Sequence, residues 1–569
     1  MMQSMFRRSS FTLGFFVMPM VVVFLSAAGV FGTQSAQAAD VDFPGVVQGV
    51  VETASGQALP GAYVKLFNAE KRVTFMVISQ ERGRYTANNL PPGKYTVQGI
   101  GNGYQSKFLP VEVTAAKPAT ANVPLTEKQG QPVPNGWPGT PGTIGGNEVW
   151  YKMPQPKLPD GPGKEVVQTK CTQCHELFRI TLQRFGKPKW EEKVGEMREY
   201  IHADAKKYRD LTDQEEELAV EYLAKNYTGE AGTANAKFDP NGRLSRYALK
   251  GDGAKYISMD FDIPVPDMEP HDVTVDRRGI AWVNYRTGCC LGRFDPKTYT
   301  FTEIRPPDGA FPTRMSSPAQ GLDDSIWMAD GGPNRRWFRV DTKTAEFTVF
   351  QAPESVPGLI GGNTMRVAPD GKMVWSTNAH RIIGLTVATK QFVAYDIPSW
   401  VKTHKNPNGY GMAIAGDGTI WFAERDAYLI GHLDPATGKI EEFKTPGDFD
   451  VPRRMSADWD GNVYVGLHET GKLVKIDYKT SKQTVLYPPT EKSGPYGVTM
   501  DPGKKILWFS EQTSDKIARY DPQTGKFTEF ALPIIESDVR RIEVDPTNPN
   551  RIWWSGDTSN HLGYIELLP

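Results

Sequence analysis

A motif of two cysteines and a histidine offers the most specific chemistry in this sequence. It is Cys171-Thr172-Gln173-Cys174-His175, a C-x-x-C-H pattern. In that pattern both thiols add to the vinyl groups of a haem, and the adjacent histidine ligates the iron. A C-x-x-C pair alone is also typical of redox and zinc sites. Because the histidine follows directly, we predict one covalent haem c with His175 as the proximal iron ligand.

The second axial ligand of this iron has two candidates, Met197 and His202. The segment KCTQCHELFRITLQRFGKPKWEEKVGEMREYI resembles the cytochrome domains of quinohaemoprotein amine dehydrogenases. In those domains a helix led by tryptophan carries the distal ligand seven residues after the tryptophan. Counted from Trp190, this position is Met197, so the resemblance implies Met197 as the distal ligand. A His202 ligand, a five-coordinate iron, and Met197 as a core residue stay as alternatives.

The C-terminal half of the chain is a repeat, typified by the segments GTIWFAE and KILWFSE. One aromatic residue recurs every 43 to 48 residues, and a strand-turn-strand pattern such as LDPATGKIEEF follows most copies. Seven copies of this length predict a seven-bladed β-propeller over residues 250–569. The strand near Tyr256–Phe261 and the last repeat, which ends at Ile565-Glu566, should complete one blade together. The recurring aromatics are Trp282, Trp327, Trp375, Trp421, Tyr464, Trp508 and Trp553.

The propeller repeats resemble the streptogramin lyase (virginiamycin B lyase-like) family. That resemblance implies Mg²⁺-dependent elimination of a cyclic depsipeptide ester, with a histidine as the base and a nearby glutamate at the end of a W-F-x-E strand. Glu424 and Glu511 keep the glutamate position, but Tyr410 and Tyr496 stand where the histidine is expected. His271 lies in another blade. The candidate catalytic residues are therefore His271, Glu424 and Glu511, split among blades.

Further polar residues recur before and after the aromatic strands. Equivalent positions of a repeat lie on one ring, so these side chains should gather at one mouth of the channel. They predict a pocket for a small polar or anionic ligand, a docking face for a redox partner, or arginine–carboxylate pairs that satisfy each other. The residues are Arg314, Arg366, Arg453, Arg454, Arg540, Arg541, Asp330, Glu424, His468, Glu511 and Asp557.

Two adjacent cysteines, Cys289 and Cys290, lie in the first blade. In an oxidising compartment they can form a disulfide with each other. Two ordinary buried thiols are the alternative. With four cysteines in 569 residues, a fold stapled by many disulfides is excluded.

The N-terminus has the pattern of a secretory signal peptide over residues 1–38. Arg7 and Arg8 precede a long apolar run, and Ala36-Gln37-Ala38 offers a cleavage site. An uncleaved membrane anchor is the alternative. We therefore expect a periplasmic protein with no integral membrane domain after cleavage. The net charge of −1 favours no binding of nucleic acid.

Three segments precede the propeller. Residues 45–126 resemble the carboxypeptidase regulatory-like family of β-sandwiches through Pro60-Gly61-Ala62, Gly83-Arg84-Tyr85 and Leu90–Tyr95. This sandwich is expected to be a spacer or docking module, with sugar binding as the alternative. Residues 127–162 are rich in proline and glycine and predict a linker. Residues 163–230 predict a small all-α cytochrome c domain, in which Thr212 and Glu215 form a helix capping box.

These features together predict a mainly β, multidomain protein that transfers electrons. The main hypothesis is a periplasmic c-type cytochrome oxidoreductase whose propeller binds a substrate or a partner dehydrogenase. A redox partner protein is then expected, because one haem passes single electrons only and no dinucleotide-binding glycine motif is evident in the sequence. The alternatives are a streptogramin lyase-like C–O lyase, which would need Mg²⁺, and a ligand-binding protein without catalysis.

Overall fold

The computed structural model describes most of the chain from residue 43 onward. The described residues are 43–130, 132, 157–173, 177, 180, 186–203, 209–228, 239–265, 268–285, 290–307, 318–330, 334–356, 358, 361–447, 450–557 and 559–569. The predicted signal peptide, most of the predicted linker, and Cys174, His175, Cys289 and Arg314 lie outside these residues. In the described part, no helix combines the length and the apolar character needed to cross a bilayer.

The first described segment is a β-sandwich of two sheets. Val47 and Val51 alternate with more exposed residues along one strand, so a single face of that strand joins the core. One sheet has the order β4-β1-β8, with β9 beside β1; the other begins β10-β6-β5-β2-β3, with β7 beside β5. The strands are β1 (Gly45–Thr53), β2 (Tyr63–Asn68), β3 (Val73–Ile78), β4 (Arg84–Leu90), β5 (Gly93–Gly101), β6 (Tyr104–Gln105), β7 (Leu109–Val113), β8 (Ala119–Thr120), β9 (Val123–Leu125) and β10 (Glu127–Lys128).

Three described helices follow the sandwich: α1 (Lys164–Thr169), α2 (Lys187–Ala203) and α3 (Asp213–Asn226). They share a small apolar core that includes Trp190 and Leu223. The predicted capping box is present, since Thr212 accepts from the Glu215 backbone and Glu215 caps Thr212 in return.

The helices correct one part of the predicted fold class. A separate all-α cytochrome c domain over 163–230 is not evident in the described residues. The physical reason is that a pentapeptide motif and helical periodicity specify local structure, whereas the identity of a domain depends on how its helices assemble.

The propeller has six four-stranded sheets in chain order. In each, the recurring aromatic residue lies in the second strand. Blades 1 to 3 contain β12 (Pro270–Val275), β13 (Ala281–Tyr285), β14 (Leu291–Asp295), β15 (Thr300–Ile304), β16 (Ala319–Gln320), β17 (Ile326–Ala329), β18 (Arg336–Val340), β19 (Phe347–Gln351), β20 (Met365–Val367), β21 (Met373–Thr377), β22 (Arg381–Thr386) and β23 (Gln391–Asp396). After the short helix α4 (Pro398–Thr403), blades 4 to 6 contain β24 (Gly409–Ile414), β25 (Ile420–Glu424), β26 (Leu429–Asp434), β27 (Lys439–Lys444), β28 (Pro452–Ala457), β29 (Val463–Leu467), β30 (Lys472–Ile476), β31 (Gln483–Leu486), β32 (Pro495–Asp501), β33 (Ile506–Glu511), β34 (Lys516–Asp521) and β35 (Lys526–Ala531).

The seventh blade joins the two ends of the propeller, as predicted. Its strands are β11 (Tyr256–Asp262), β36 (Val539–Val544), β37 (Arg551–Gly556) and β38 (His561–Leu567). Strand β11 pairs antiparallel with β38, so the start and the end of the repeat share one sheet. The first strands of all seven blades contact one another in a closed ring around the channel.

The sandwich and the seventh blade form one continuous sheet. Strand β3 pairs antiparallel with β11, with Val77 opposite Ile257 and Val73 opposite Phe261. The resulting sheet has ten strands, in which β11 is bonded to the sandwich on one side and to β38 on the other. The outer edge of the closing blade is therefore covered, which protects it from pairing with another chain.

The recurring aromatic residues are buried between blades, and two of them are held by an aspartate. The indole of Trp282 donates to Asp276 at 3.1 Å, and that of Trp553 donates to Asp545 at 2.9 Å. Each aspartate lies in the turn before its strand, so the hydrogen bond ties that turn to the core. Burial of the ring between blades explains why the repeat keeps an aromatic residue at this place.

Candidate functional site

The first residues of the inner strands meet at one mouth of the channel. Side chains from blades 4, 5, 6 and 7 surround a pair of tyrosines, and a side chain from blade 1 joins them. Tyr410 is the second residue of β24 and Tyr496 the second residue of β32, and their hydroxyl groups are hydrogen bonded to each other. Both side chains are buried. The ring centroids are 6.0 Å apart and nearly perpendicular, which brings the two hydroxyl groups together edge on.

Cationic side chains enclose these tyrosines. The guanidinium carbons of Arg425, Arg453 and Arg454 lie 5.5, 5.5 and 5.2 Å from the centre of the Tyr410 ring. Arg540 lies 5.2 Å from the centre of the Tyr496 ring and donates to its hydroxyl at 3.2 Å. A phenolate at this place would be stabilised by charge from several sides.

The charges set different pKa values for the two hydroxyl groups. Burial by itself raises the pKa of Tyr410, but neighbouring His271 and Arg454, with two further arginines, outweigh burial and lower this pKa to about 7. Burial and the adjacent Tyr410 raise the pKa of Tyr496. The pair therefore holds one proton on Tyr496, which donates to a Tyr410 phenolate near neutral pH.

A carboxylate from blade 1 positions Arg454. Its Nη2 donates to both oxygens of Asp272, at 3.0 and 2.9 Å. His271 Nδ1 lies 2.6 Å from Asp272 Oδ2. Burial opposes ionisation of Asp272, yet Arg454 and His271 hold its pKa well below the ordinary value. Asp272 is thus ionised and fixes the guanidinium beside Tyr410.

A chain of hydrogen bonds positions two of the other arginines, Arg453 and Arg540. Glu469 accepts from Arg453 Nη2 at 3.0 Å and lies 3.1 Å from His468 Nδ1. His468 Nε2 is 2.6 Å from the amide oxygen of Gln512. Burial would raise the pKa of Glu469, but His468 and Arg453 lower it to about 2. Glu469 is therefore ionised and holds Arg453 against the tyrosine rings.

The chain continues to the arginine that contacts Tyr496. The amide nitrogen of Gln512 donates to Asp538, which also accepts from Arg540 Nε at 3.0 Å. A second carboxylate, Asp557, lies 3.0 Å from Arg540 Nη2. The predicted mouth residues Arg453, Arg454, His468, Arg540 and Asp557 thus meet in one network around the two tyrosines.

The three residues predicted to be catalytic lie in separate surroundings. His271 contacts Asp272 and Arg454 at the mouth. Glu424 is fully buried, and its Oε2 accepts from Ser399 Oγ at 2.6 Å. Burial and neighbouring Glu442 raise the pKa of Glu424 to about 8.

Glu511 is a second buried carboxyl of this kind. Its side chain is fully buried in blade 6, and burial together with Glu529 raises its pKa to about 8. Both glutamates of the W-F-x-E positions are therefore protonated at neutral pH. Neither is suited to accept a proton there, and the described site instead centres on Tyr410, which the sequence indicated only as a replacement for histidine.

The raised pKa of Glu511 predicts that the free energy of unfolding decreases as the pH rises to about 8. The folded state keeps a proton that the unfolded state releases near the ordinary glutamate pKa, so this stabilisation is full below that value and disappears as the pH rises through about 8. Each pKa unit corresponds to about 1.4 kcal/mol. We expect Glu511→Gln to lose less stability than the unmodified protein between about pH 6 and about pH 9 in urea unfolding. Exposed Glu441→Gln is the control; equal slopes for both variants would contradict the protonated Glu511.

The residues of the predicted haem site are only partly described. Cys171 lies in the short 3₁₀ turn Cys171–Gln173, and Met197 is a half-buried residue of α2. His202 Nε2 is 2.5 Å from Asp210 Oδ1. Because Cys174 and His175 lie outside the described residues, covalent haem attachment and its distal ligand stay predictions. Cys290 is buried and disulfide-bonded, and the predicted Cys289–Cys290 pairing stays a prediction because Cys289 is not described.

The described mouth does not fit Mg²⁺. Its carboxylates are bonded to guanidinium groups, as Asp272 is to Arg454. Among the described residues, no group of three or more His, Cys, Asp or Glu side chains is arranged to hold a metal ion. Arginines already supply the positive charge at the tyrosine pair, and they would repel a divalent cation.

Comparison with known proteins identifies two parts of the chain. Residues 317–567 match the Virginiamycin B lyase family, and residues 46–126 match the Carboxypeptidase regulatory-like domain. A Virginiamycin B lyase of Nocardia farcinica is 24% identical over 280 residues, which are 49% of this chain and 76% of that protein. The structure of virginiamycin B lyase from Staphylococcus aureus aligns at 19% identity over 55% of this chain and 100% of that chain, with a TM-score of 0.48. A streptogramin B lyase structure aligns at 19% identity over 56% and 100%, with a TM-score of 0.49.

These matches correct the main functional hypothesis. The prediction of a c-type cytochrome oxidoreductase is wrong as the function of the chain, because the matched family and the curated relative are lyases. The alternative of a C–O lyase is better supported. The five-residue motif Cys171–His175 specifies only a local feature, whereas the propeller repeat fills about half of the sequence. The chain carries a carboxypeptidase regulatory-like domain and a virginiamycin B lyase-like β-propeller.

Proposed function

We propose that the chain is a C–O lyase that opens an ester by elimination, with Tyr410 as the base. The observation that carries this proposal is the hydrogen-bonded tyrosine pair inside a ring of arginines. A general base works best when its pKa lies near the working pH. The pKa of Tyr410, lowered to about 7, meets that condition, although an ordinary tyrosine does not.

The reaction needs a base and a stabiliser of negative charge, and the mouth contains both. The Tyr410 phenolate takes the proton from the carbon next to a substrate carbonyl. The electrons of that C–H bond form a C=C bond, and the neighbouring C–O bond breaks, so the leaving carboxylate takes its electron pair. No water is consumed. Arg453 and Arg540 lie beside the tyrosine rings. In this proposal they stabilise the negative charge that develops on the carbonyl oxygen.

The remaining residues of the network orient these groups. Asp272 fixes Arg454 against the Tyr410 ring, and Asp538 and Asp557 fix Arg540 against Tyr496. Tyr496 keeps the proton that stabilises the phenolate of its partner. Since these groups are already bonded before a substrate arrives, little reorganisation is required during the reaction.

A cyclic depsipeptide is the first substrate to test. Quinupristin is present in a structure of catalytically inactive virginiamycin B lyase from Staphylococcus aureus. The full chain is incubated with quinupristin, and the product is analysed by mass spectrometry. Elimination opens the ring without a change of mass, whereas hydrolysis adds one water. We expect an opened isomer with a new C=C bond, and we expect a chelator to leave the rate unchanged because arginines supply the charge.

Two results would overturn this proposal. A product heavier by one water would show hydrolysis. Loss of the reaction in chelator, restored by Mg²⁺, would show that a metal ion and not the arginine ring stabilises the developing charge.

A further inference from the structure

Behind the tyrosine pair, three arginines from different blades converge in the channel. Arg366 lies on β20, Arg454 on β28 and Arg541 on β36. Arg366 Nη2 reaches across the channel and donates to the Met455 carbonyl at 3.1 Å, and its Nη1 donates to the Met365 carbonyl at 2.9 Å. Arg454 and Arg541 both act electrostatically on Arg366, so the three guanidinium groups form one cluster.

The cluster has more positive than negative charge. Asp272 is bonded to Arg454 through both of its oxygens. Glu543 accepts from Arg541 Nη2 at 2.8 Å and from its Nε at 3.3 Å. Among the described residues, the hydrogen-bond partners of the Arg366 guanidinium are the two carbonyl oxygens. Within the described part of the cluster, three guanidinium groups thus share two carboxylates, which leaves an excess of one positive charge.

Burial and the excess of positive charge make Arg366 easier to deprotonate than an ordinary arginine. Burial, followed by repulsion from Arg541 and Arg454, lowers the pKa of Arg366 to about 9, although Glu543 acts in the opposite direction. A bound anion would offset this repulsion and stabilise the charged form of Arg366. Arg366 and Arg541 are half-buried, and the Arg541 side chain is 12% exposed, so part of the cluster is in contact with solvent.

We propose that Arg366 and Arg541 bind an oxyanion of the carboxylate class, and that this is the carboxylate that elimination releases from the ester. Guanidinium groups recognise carboxylates through two parallel hydrogen bonds, and they recognise phosphates in the same way. Arg454 lies next to both this site and the base. It belongs to the arginine cluster, and its guanidinium carbon is 5.2 Å from the centre of the Tyr410 ring. The carboxylate that leaves the broken C–O bond would be held by this cluster, next to the tyrosine pair. This second part rests on the proposed function, whereas anion binding does not.

The test measures binding of simple anions to the full chain. Acetate and inorganic phosphate are titrated separately into the unmodified protein, Arg366→Met and Arg366→Lys, and binding is followed by calorimetry and by the shift of the melting temperature. Acetate should bind the unmodified protein, and Arg366→Met should weaken this binding by about 10-fold or more, because a hydrogen bond to a charged group is lost. Arg366→Lys, which keeps the charge but loses the planar fork, should fall between them.

The matched control is Arg339→Met, in an outer position of blade 2 where Arg339 pairs with Asp323. It should bind acetate like the unmodified protein. Arg366→Met should also melt no lower than the unmodified protein without anion, because a repelled charge is removed; this result excludes misfolding as the cause of weaker binding.

The outcomes separate this inference from the proposed function. Binding of acetate that Arg366→Met retains, or binding of phosphate alone, would overturn the carboxylate site. Acetate binding that depends on Arg366, in a protein that eliminates no ester, would support the site and reject the lyase. Tyr410→Phe should lose elimination and keep acetate binding.

Discussion

Tyr410→Phe should slow elimination strongly without unfolding the propeller. Tyr410→Phe removes the hydroxyl that takes the proton and keeps the buried ring, so packing is preserved. Loss of a positioned general base lowers the rate by about 10²- to 10⁴-fold. Initial rates of ring opening, measured by mass spectrometry on the full chain, test this expectation.

The pH dependence gives the same prediction a second readout. The base is active as the phenolate, so the rate should rise with pH through about 7, the pKa of Tyr410. In the protein without substrate, near-ultraviolet absorbance should show one tyrosinate that forms at that pH. Tyr410→Phe should lose this titration, whereas replacement of the exposed Tyr487 by phenylalanine should leave it unchanged.

Tyr496→Phe provides the comparison within the pair. It removes the proton donor to the phenolate and leaves the base in place, so it should raise the apparent pKa of Tyr410 and reduce the rate less than Tyr410→Phe does. A low-pH tyrosinate that survives in Tyr410→Phe would contradict the assignment of the base.

The second large effect is expected where the sandwich joins the propeller. Met76 on β3 is fully buried in a cluster with Tyr256 of β11, Trp554 and Ile565. Met76→Ala leaves a cavity at this shared core, and such substitutions cost about 2–5 kcal/mol. Because β3 and β11 belong to one ten-stranded sheet, the loss should destabilise the sandwich and the closing blade together. Calorimetry should show one transition for both, shifted to a lower temperature.

An exposed residue of the same sandwich gives the control. Thr96 on β5 points to solvent, so Thr96→Ala should change the melting temperature little. If Met76→Ala instead lowers a separate sandwich transition and leaves that of the propeller in place, the two parts are independent, and the shared sheet contributes little to closure of the ring.

Features that depend on residues close together in the chain could be predicted from the sequence, whereas pairings between distant segments could not. The blades could be predicted because each repeat contains its own strands, turns and core aromatic residue. The capping box of Thr212 and Glu215 could be predicted because both partners lie within one helical turn. The partners of β11 were predicted on one side only: pairing with β38 follows from closure of the ring, whereas pairing with β3 has no periodic signal.

The candidate site was predictable in location and not in chemistry. The arginines of the inner strands indicated a polar mouth, since equivalent repeat positions share a ring. The choice of His271, Glu424 and Glu511 followed residue types, and type alone does not report a pKa. Burial raises the pKa of both glutamates to about 8, and surrounding cations lower that of Tyr410 to about 7. With the ordinary pKa values of these residues, the glutamates would be ionised and able to accept a proton at neutral pH, and Tyr410 would be protonated.

By itself, the sequence determined the repeat, the number of blades and the shared ring of Arg453, Arg454 and Arg540, because these depend on local hydrophobic patterns and a fixed period. Only the tertiary structure decided that Tyr410 and Tyr496 share a hydrogen bond, that Asp272 holds Arg454, and that Arg366 faces two other arginines. These partners come from different blades, far apart in the chain. Their ionisation depends on distance and burial, which exist only once the ring has closed.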